Sequence, residues 1–275
     1  MYEQYWHLNR NPFEDTSSPD FFYRSQHHHT ALLKLRYLVE NRKGAGLLVG
    51  GSGYGKSYLA SMLRYELPED YGPFVNLVFP QMSASEILAY LAVELGADES
   101  AIGGHDSGLD RTIRQIENQL KHYTSQQRHP VIIIDEAHLI EDWKVFQSLQ
   151  LLLNYQDQPE ISFSLILIGN RSLLPRVARL KPFDERLAVK SLLRPFSREE
   201  TAEYIAHRMG VAGVNQEVFD SEAINEIFAL SEGVPRKINR ICDLALLVGY
   251  ADGLSGLSGS HVAAVSQELT TVVPD

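Results

Sequence analysis

The sequence predicts an α/β fold, in which a parallel sheet carries helices on both faces and a smaller all-helical domain follows. Short apolar runs alternate with helix-length segments up to about residue 196, and only helical patterns follow from Ser197. The run Val131–Ile134 consists of four β-branched residues, as is typical of a central strand of a parallel sheet that is covered on both faces. We therefore expect an N-terminal arm over residues 1–30, an α/β domain over 31–196 and a helical domain over 197–275.

The elements can be assigned in order along the chain. Aromatic residues and turn formers alternate in the first thirty positions, which predicts an extended arm that packs on the core. Ser83 with Glu86, and Ser197 with Glu200, form capping boxes that predict helix starts. The other predicted segments are helix 30–39, strand 45–49, helix 58–65, strand 74–79, helix 83–95, loop 98–109, helix 110–125, strand 131–134, helix 142–155, strand 163–168, strand 188–192 and helices 198–209, 221–230, 236–252 and 261–269.

Composition argues against a dedicated nucleic-acid-binding protein, a disulfide-bonded protein and a membrane-spanning protein. The formal net charge of −10 argues against a surface devoted to nucleic acid, although a local basic patch is compatible with it. The single Cys242 lies in an apolar helical run and predicts core packing, with no internal disulfide. The sequence contains no run of eighteen apolar residues, so we expect a cytoplasmic protein without direct membrane insertion.

The segment that follows the first predicted strand fits the pattern G-x-x-x-x-G-K-[ST]. Its glycines let backbone N–H groups turn toward a phosphate, and the next helix adds the positive end of its dipole. We expect Lys56 to reach the β- and γ-phosphates and the Ser57 hydroxyl to ligate Mg²⁺. A Gly-rich turn with a chance lysine is the alternative. The predicted nucleotide-binding residues are Gly50, Gly51, Ser52, Gly53, Tyr54, Gly55, Lys56, Ser57 and Tyr58.

Two acidic residues, Asp135 and Glu136, follow the strand Val131–Ile134. Asp135 lies 79 residues beyond Lys56. Strands of parallel sheets deliver functional residues at their carboxyl ends, beside the phosphate loop. We expect Asp135 to hold Mg²⁺ and Glu136 to orient and deprotonate the attacking water. The alternative is that the two acids only cap the helix that follows. His138 completes the tetrapeptide D-E-A-H, and we interpret it as incidental.

Several further motifs extend from the first residues to the helical domain. They are Tyr2 with Pro12-Phe13, Phe22-Tyr23 and His29; Ile134-Asp135-Glu136-Ala137; Leu167-Ile168-Gly169-Asn170; Glu185-Arg186-Leu187; Leu193 to Tyr204; and Gly233-Val234-Pro235-Arg236-Lys237-Ile238-Asn239-Arg240. Together with the phosphate loop they resemble the AAA+ ATPases, and within them the ExeA (GspA) type and its transposition relatives of the TniB and MuB kind. The resemblance implies a P-loop AAA+ core with a helical lid domain.

The resemblance also implies roles for single residues. Asn170 stands at the sensor-1 position, where an amide contacts the γ-phosphate or the attacking water; a turn residue after Gly169 is the alternative. Arg236 stands at the sensor-2 position, and the alternative is a surface arginine near a helix start. Arg186, with Arg179 as second choice, is the expected arginine finger inserted into the site of the next subunit. A solvated charged loop is the alternative for this basic segment.

The leading hypothesis is an ATPase that depends on Mg²⁺ and assembles head to tail as a homo-oligomer, ring or filament. It couples ATP binding and hydrolysis to remodelling or regulating a protein partner complex, and the resemblance to the ExeA type implies a relation to secretion or envelope assembly. One alternative is an ATP-dependent regulator of transposition that forms filaments on duplex DNA. Another is a switch that binds ATP and scarcely hydrolyses it. We also expect the arm, through Phe21, Phe22 and Tyr23, to cover an adenine base; core packing of these aromatics is the competing interpretation.

Overall fold

A computed structural model describes residues 1–99 and 108–271 of the chain. The chain forms two compact units. One, the helical unit, contains residues 1–27, 51–58 and the chain from Arg194 onward. The other, the sheet unit, contains residues 28–50 and 59–193. Most of the loop expected over residues 98–109 lies outside the described residues.

Five parallel strands form the sheet in the order β2-β3-β4-β1-β5. Every residue of β1, β3 and β4 is buried, because these central strands are covered on both faces, as their unbroken apolar runs predict. Strand β2 ends two residues earlier than expected, and Val78 and Phe79 beyond it are exposed. The strands are β1 (Ala45–Val49), β2 (Phe74–Leu77), β3 (Val131–Ile134), β4 (Ser164–Gly169) and β5 (Leu187–Leu192).

Within the described residues, seven α-helices accompany the strands. The capping box at the start of α3 is present: the Ser83 hydroxyl accepts from the backbone N–H of Glu86, whose carboxylate accepts from the N–H of Ser83. Two short helices occupy the basic segment before β5, where the sequence predicted none. The helices are α1 (Gln26–Glu40), α2 (Lys56–Glu66), α3 (Ala84–Glu94), α4 (Leu109–Ser125), α5 (Trp143–Asn154), α6 (Leu173–Arg179) and α7 (Lys181–Glu185).

Four more helices build the core of the helical unit: α8 (Arg198–Val211), α9 (Ser221–Ser231), α10 (Pro235–Ala251) and α11 (Gly259–Thr271). The second capping box is also present, between Ser197 and Glu200. Helix α9 ends with Glu232 and Gly233 in the left-handed region, at φ of 54° and 72°. That reversal leads the chain into α10, where Cys242 is fully buried.

The N-terminal arm packs on these helices. The Trp6 indole Nε1 donates to the carbonyl oxygen of Leu246 at 2.9 Å. Arg208 is buried in α8, donates to the backbone carbonyls of Pro12 and Glu14, and places its guanidinium 4.7 Å from the centre of the Phe21 ring. The arm thus supplies aromatic surface and backbone acceptors that complete the core of this unit.

Among the described residues, no helix combines the length and apolarity that crossing a bilayer requires.

Candidate functional site

The loop after β1 has the backbone that its glycines allow. Gly53 and Gly55 have φ of 76° and 82°, a region that strains any residue with a side chain. A Cβ on Gly51 would lie 2.6 Å from the Tyr54 ring, so a side chain at this position would displace that ring. Helix α2 begins directly at Lys56, and its first N–H groups therefore point into the loop.

Lys56 and Ser57 occupy the first turn of α2. Lys56 is buried, and its ammonium Nζ donates to the carbonyl oxygen of Gly51 at 3.0 Å, across the mouth of the loop. Ser57 is exposed next to it. The arrangement surrounds the loop with one ammonium, one hydroxyl and the positive end of a helix, which are the groups that bind a phosphate.

Helix α10 starts against the same loop. The backbone N–H of Arg236 donates to the carbonyl oxygen of Gly53 at 3.3 Å. A Cβ on Gly53 would lie 2.9 Å from the Cβ of Arg236 and 3.2 Å from the side chain of Val234. The guanidinium of Arg236 is exposed and has no ion pair among the residues that the structure describes. The Cβ of Arg236, the expected sensor-2 arginine, thus lies next to Gly53 of the phosphate loop.

The arm also reaches α2. The Tyr58 hydroxyl donates to the carbonyl oxygen of Ser18 at 2.6 Å, and its ring meets the edge of Phe22 with centroids 5.4 Å apart. Burial raises the pKa of Tyr58 to about 12. Phe21 and Phe22 are buried by the protein itself, and Tyr23 donates to the Glu203 carboxylate at 2.5 Å. Core packing of these aromatics is therefore present, and a contact between the arm and a base stays a prediction.

The carboxyl edge of the sheet brings the second group of predicted residues together. The backbone N–H of Gly50, which opens the phosphate loop, donates to the carbonyl oxygen of Gly169 at 3.1 Å, and Asn170 follows. On the other side of β4, Asp135 follows β3 and is buried. Its carboxylate accepts the backbone N–H of Glu136 at 2.8 Å. Strand order thus places the loop start, the two acids and the amide on one edge.

Glu136 and Asn170 each have a local restraint. Glu136 has a left-handed backbone, with φ of 49°, and its carboxylate Oε2 lies 3.1 Å from the imidazole Nδ1 of His138. The side-chain oxygen of Asn170 accepts the backbone N–H of Ser172 at 2.8 Å, which is the turn chemistry that a Gly-Asn pair predicts.

His138, which the sequence analysis interprets as incidental, lies beside two of the predicted site residues. Besides the contact with Glu136, its Nδ1 lies 3.5 Å from the backbone nitrogen of Asn170. Arg176 fixes the turn that carries it, since one guanidinium nitrogen donates to the carbonyl oxygens of His138 and Ile140 at 2.7 Å each. The D-E-A-H spacing was the available signal, because a histidine two residues after an acid can fold back onto it.

The first-choice finger residue lies away from this edge. Arg186 precedes β5, at the amino edge of the sheet, and its guanidinium binds the Asp157 carboxylate at 3.2 Å and the Asn154 amide oxygen at 3.0 Å. This pairing raises the pKa of Arg186 and lowers the pKa of Asp157. Arg179 is exposed at the end of α6.

The residues present fit a magnesium nucleotide. A Cβ at Gly51 would meet the Tyr54 ring, and a Cβ at Gly53 would meet Arg236 and Val234 at the start of α10, so the loop is built with residues that carry no side chain at these positions. Ser57, beside the loop, and Asp135, at the carboxyl edge of the sheet, each carry an oxygen atom of the kind that Mg²⁺ prefers. Within the described residues, no group of three or more His, Cys, Asp and Glu side chains forms a dedicated cage. Magnesium is usually bound through one or two protein oxygens plus phosphates.

Comparison with known proteins adds three kinds of likeness. Residues 39–177 match the model of a family described as an AAA domain. The chain is 28% identical over 275 residues to General secretion pathway protein A of Aeromonas hydrophila, covering 99% of this chain and 49% of that protein. It is 22% identical over 256 residues to an uncharacterized HTH-type transcriptional regulator of Methanocaldococcus jannaschii, covering 81% and 62% respectively. The chain thus spans about half to three-fifths of the length of these relatives.

Solved structures share the fold at low identity. ORC2 of Aeropyrum pernix, in ADPNP-ADP complexes, superposes with a TM-score of 0.71 at 14% identity, over 94% of this chain and 71% of that one. Cdc6p of Pyrobaculum aerophilum gives 0.71 at 15%, over 92% and 70%. The RuvB Holliday junction branch migration motor of Thermotoga maritima gives 0.61 at 18%, over 94% and 73%. These similarities confirm the expected fold class.

Proposed function

The chain belongs to the AAA domain family, whose model matches residues 39–177, and on that premise we propose that it is a Mg²⁺-dependent ATPase acting as a head-to-tail oligomer. It couples ATP binding and hydrolysis to the remodelling or regulation of a partner complex. One observation carries the proposal: the start of the phosphate loop, the buried Asp135 with Glu136, and Asn170 share the carboxyl edge of one parallel sheet. That edge is where parallel α/β sheets bind nucleotides.

Each site residue has a separate role in the proposed hydrolysis of ATP. Lys56 exchanges its bond to the Gly51 carbonyl for phosphate oxygens, while Ser57 and Asp135 hold Mg²⁺, which neutralises phosphate charge when bound. Glu136 accepts a proton from water, whose oxygen bonds to the γ-phosphorus as the bond to the bridging oxygen breaks and ADP leaves. Asn170 and Arg236 donate to the γ-phosphate oxygens.

Arg186 acts in the site of a neighbouring subunit. Strands β1 and β5 run parallel, so Arg186 stands before the residue that pairs with Ala45, whereas the phosphate loop follows Val49. About five residues of strand, roughly 17 Å, separate these two edges. The side chain therefore cannot serve its own sheet edge, and a head-to-tail contact gives it a partner site.

Two variants test the proposal. Lys56→Ala should abolish ATP binding measured by calorimetry, whereas Glu136→Gln should bind ATP and lose turnover, because only the second residue acts on the water. Wild-type protein that binds ATP tightly without measurable turnover would instead indicate a binding switch. Normal turnover in Glu136→Gln would refute its role as the base.

Mixing defective subunits tests the assembly. Arg186→Ala should bind ATP without hydrolysing it, and activity should return when it is mixed with Glu136→Gln, because one intact site then forms between the two chains. A finger contribution of about 10³-fold or more makes the rescue easy to detect. Activity per molecule that is independent of concentration, with no rescue, would exclude Arg186; Arg179→Ala is the matched second variant.

A second candidate function is ATP-dependent binding of duplex DNA in the regulation of transposition. The specific observations are the exposed basic residues Arg171, Arg179 and Lys181, and the fold shared with A. pernix ORC1, solved in complex with DNA, at a TM-score of 0.63 and 16% identity. Phosphate contacts would make the logarithm of affinity fall linearly with the logarithm of salt concentration. Binding of a fluorescent duplex with ATP at several salt concentrations tests it; no binding at low salt would exclude it.

A further inference from the structure

Glu136, the proposed base, has a backbone conformation that its neighbours must maintain. Its φ of 49° lies in the left-handed region, which is unfavourable for a residue with a Cβ. Such conformations persist only where the surrounding structure fixes them, and they are concentrated at functional sites. We propose that Arg176 is a positioning residue, which keeps Glu136 in this conformation by holding the turn that follows it. This inference rests on the proposed ATPase function and deepens it.

Glu136 stands between two segments that are fixed in different ways. On its N-terminal side, the backbone N–H of Asp135 donates to the carbonyl oxygen of Leu77 at 2.8 Å, which continues the pairing of β3 with β2. On its C-terminal side, the chain enters a short 3-10 turn, Ala137–Leu139, and the N–H of Leu139 donates to the Glu136 carbonyl oxygen at 2.8 Å. The direction of the Glu136 side chain therefore depends on where this turn lies relative to the sheet.

Arg176, in α6, binds the far end of the turn. One guanidinium nitrogen, Nη1, donates to the carbonyl oxygens of His138 and Ile140 at 2.7 Å each. A guanidinium stays charged in proteins, and hydrogen bonds from a charged donor are stronger than neutral ones. Helix α6 begins three residues after Asn170. The Arg176 side chain therefore ties the turn after the proposed base to the segment that carries the proposed sensor.

The turn also packs against the end of β4. A Cβ on Gly169 would lie 2.9 Å from the Leu173 side chain and 3.2 Å from the backbone nitrogen of His138, so the strand end, α6 and the turn are in direct contact. The backbone N–H of Asn170 donates to the imidazole Nδ1 of His138 at 3.5 Å. The turn thus rests on the sheet, and the two hydrogen bonds from Arg176 keep it from moving away.

Loss of this anchor should affect turnover more than ATP binding. Glu136 would relax toward an ordinary backbone conformation, and its carboxylate would no longer be aimed at the water. Misplacement of a reacting group by about 1 Å can cost about 10²-fold in rate. We expect Arg176→Met, which keeps the apolar stem and removes the donors, to lower kcat about 10-fold with KM for ATP within about twofold.

Two further variants make this kinetic test specific. Arg176→Lys keeps a charge and the hydrogen-bond donors, and it should stay within about threefold of wild type. Arg114→Met removes an exposed arginine that pairs with Asp110 on α4, and as the matched control it should change neither constant. Unchanged kcat in Arg176→Met, or a loss that Arg176→Lys shares in full, would overturn the proposal.

Subunit mixing separates positioning from a direct role in a neighbouring site. If Arg176 acts on Glu136 of its own chain, a mixture of Arg176→Met with Glu136→Gln contains no intact site, and its activity should not exceed the sum of the two components. An arginine that acts in the neighbouring subunit would instead form an intact site between the two chains. Restored activity would therefore overturn the proposal.

Amide hydrogen exchange without nucleotide tests the anchor itself. The Leu139 N–H is bonded to the Glu136 carbonyl oxygen, so its exchange reports opening of the turn. We expect this exchange to be about 10-fold faster in Arg176→Met and near the wild-type rate in Arg176→Lys and Arg114→Met, with the amides of β3 unchanged in all three. Unchanged exchange of Leu139 in Arg176→Met would overturn the inference, as would an equal acceleration throughout β3, which indicates general destabilisation. Absence of turnover in wild type would refute the ATPase proposal alone, since exchange still decides whether Arg176 holds the turn.

Discussion

Replacing Gly233 by alanine should destabilise the helical unit by about 3 to 6 kcal/mol. Gly233 joins α9 to α10, three residues before Arg236, and has φ of 72°. An added Cβ would lie 2.0 Å from the carbonyl oxygen of Phe196, whose own backbone N–H donates to the Gly233 carbonyl at 2.8 Å. Because the obstacle is backbone, no side-chain rotation can relieve it.

The magnitude follows from three costs. A residue with a side chain pays roughly 1–2 kcal/mol in the left-handed region. The Phe196 segment must also move by about 1.4 Å to restore an ordinary contact, and overpacking of this kind costs roughly 1–3 kcal/mol. That movement breaks the hydrogen bond between the two backbones, which contributes about 1 kcal/mol.

Gly253 is the matched control. It has φ of 66°, and nothing lies within 4 Å of an added Cβ, so Gly253→Ala carries the backbone strain without the clash. The assay is urea unfolding followed by fluorescence of Trp6, which is buried in the helical unit. The chain has two tryptophans, and both variants are made in a Trp143→Phe background so that the fluorescence comes from Trp6 alone. Free energies of unfolding for the two alanine variants that agree within about 0.5 kcal/mol would refute the reasoning.

Three further perturbations test other parts of the structure. Burial lowers the pKa of His129 from 6.5 to about 4, so stability should fall by about 3 kcal/mol as the pH drops through that interval, where the unfolded state binds the additional proton. His129→Gln should flatten this part of the pH–stability curve from urea unfolding, and an unchanged slope would contradict the assignment. Tyr58→Phe removes a hydrogen bond to the arm and should cost about 1 kcal/mol in thermal unfolding, whereas the exposed Tyr65→Phe should cost nothing; equal shifts would argue against the contact. Arg208→Leu leaves buried arm carbonyls unpaired and should cost about 3 kcal/mol in urea unfolding, against no change for the exposed Arg240→Leu; a loss under 1 kcal/mol would disprove that role.

The fold class, the strand runs and both capping boxes were predictable because each depends on residues near in sequence. The phosphate loop is of the same kind, since Gly53, Gly55 and Lys56 build one turn and the helix after it. Even the start of β5 differs by a single residue from the expected strand. The strands and the loop that carry the candidate site were therefore predictable from local sequence patterns.

Features that depend on distant partners could not be read from the sequence. The contact of His138 with Glu136 needs a left-handed backbone at Glu136 and an anchor from Arg176, which lies 38 residues beyond His138. Val78 and Phe79 continue the apolar run of β2, but both are exposed. The sequence could not predict this, because the spacing of apolar residues does not show which of them are covered in the folded protein. Similarly, α6 and α7 are too short for a period of 3.6 residues to be recognised.

The order of the strands bears on how the chain folds as it is synthesised. Strand β1 lies between β4 and β5, and its first partner, Leu165, is made about 120 residues after Ala45. At about 5–20 residues per second, a ribosome needs on the order of 10 s to reach it. During that time the apolar strand β1, which is fully buried in the folded protein, has no neighbouring strand to pair with. Nascent chains that stop before residue 164 should therefore bind chaperones through Ala45–Val49, and release should follow completion of β4.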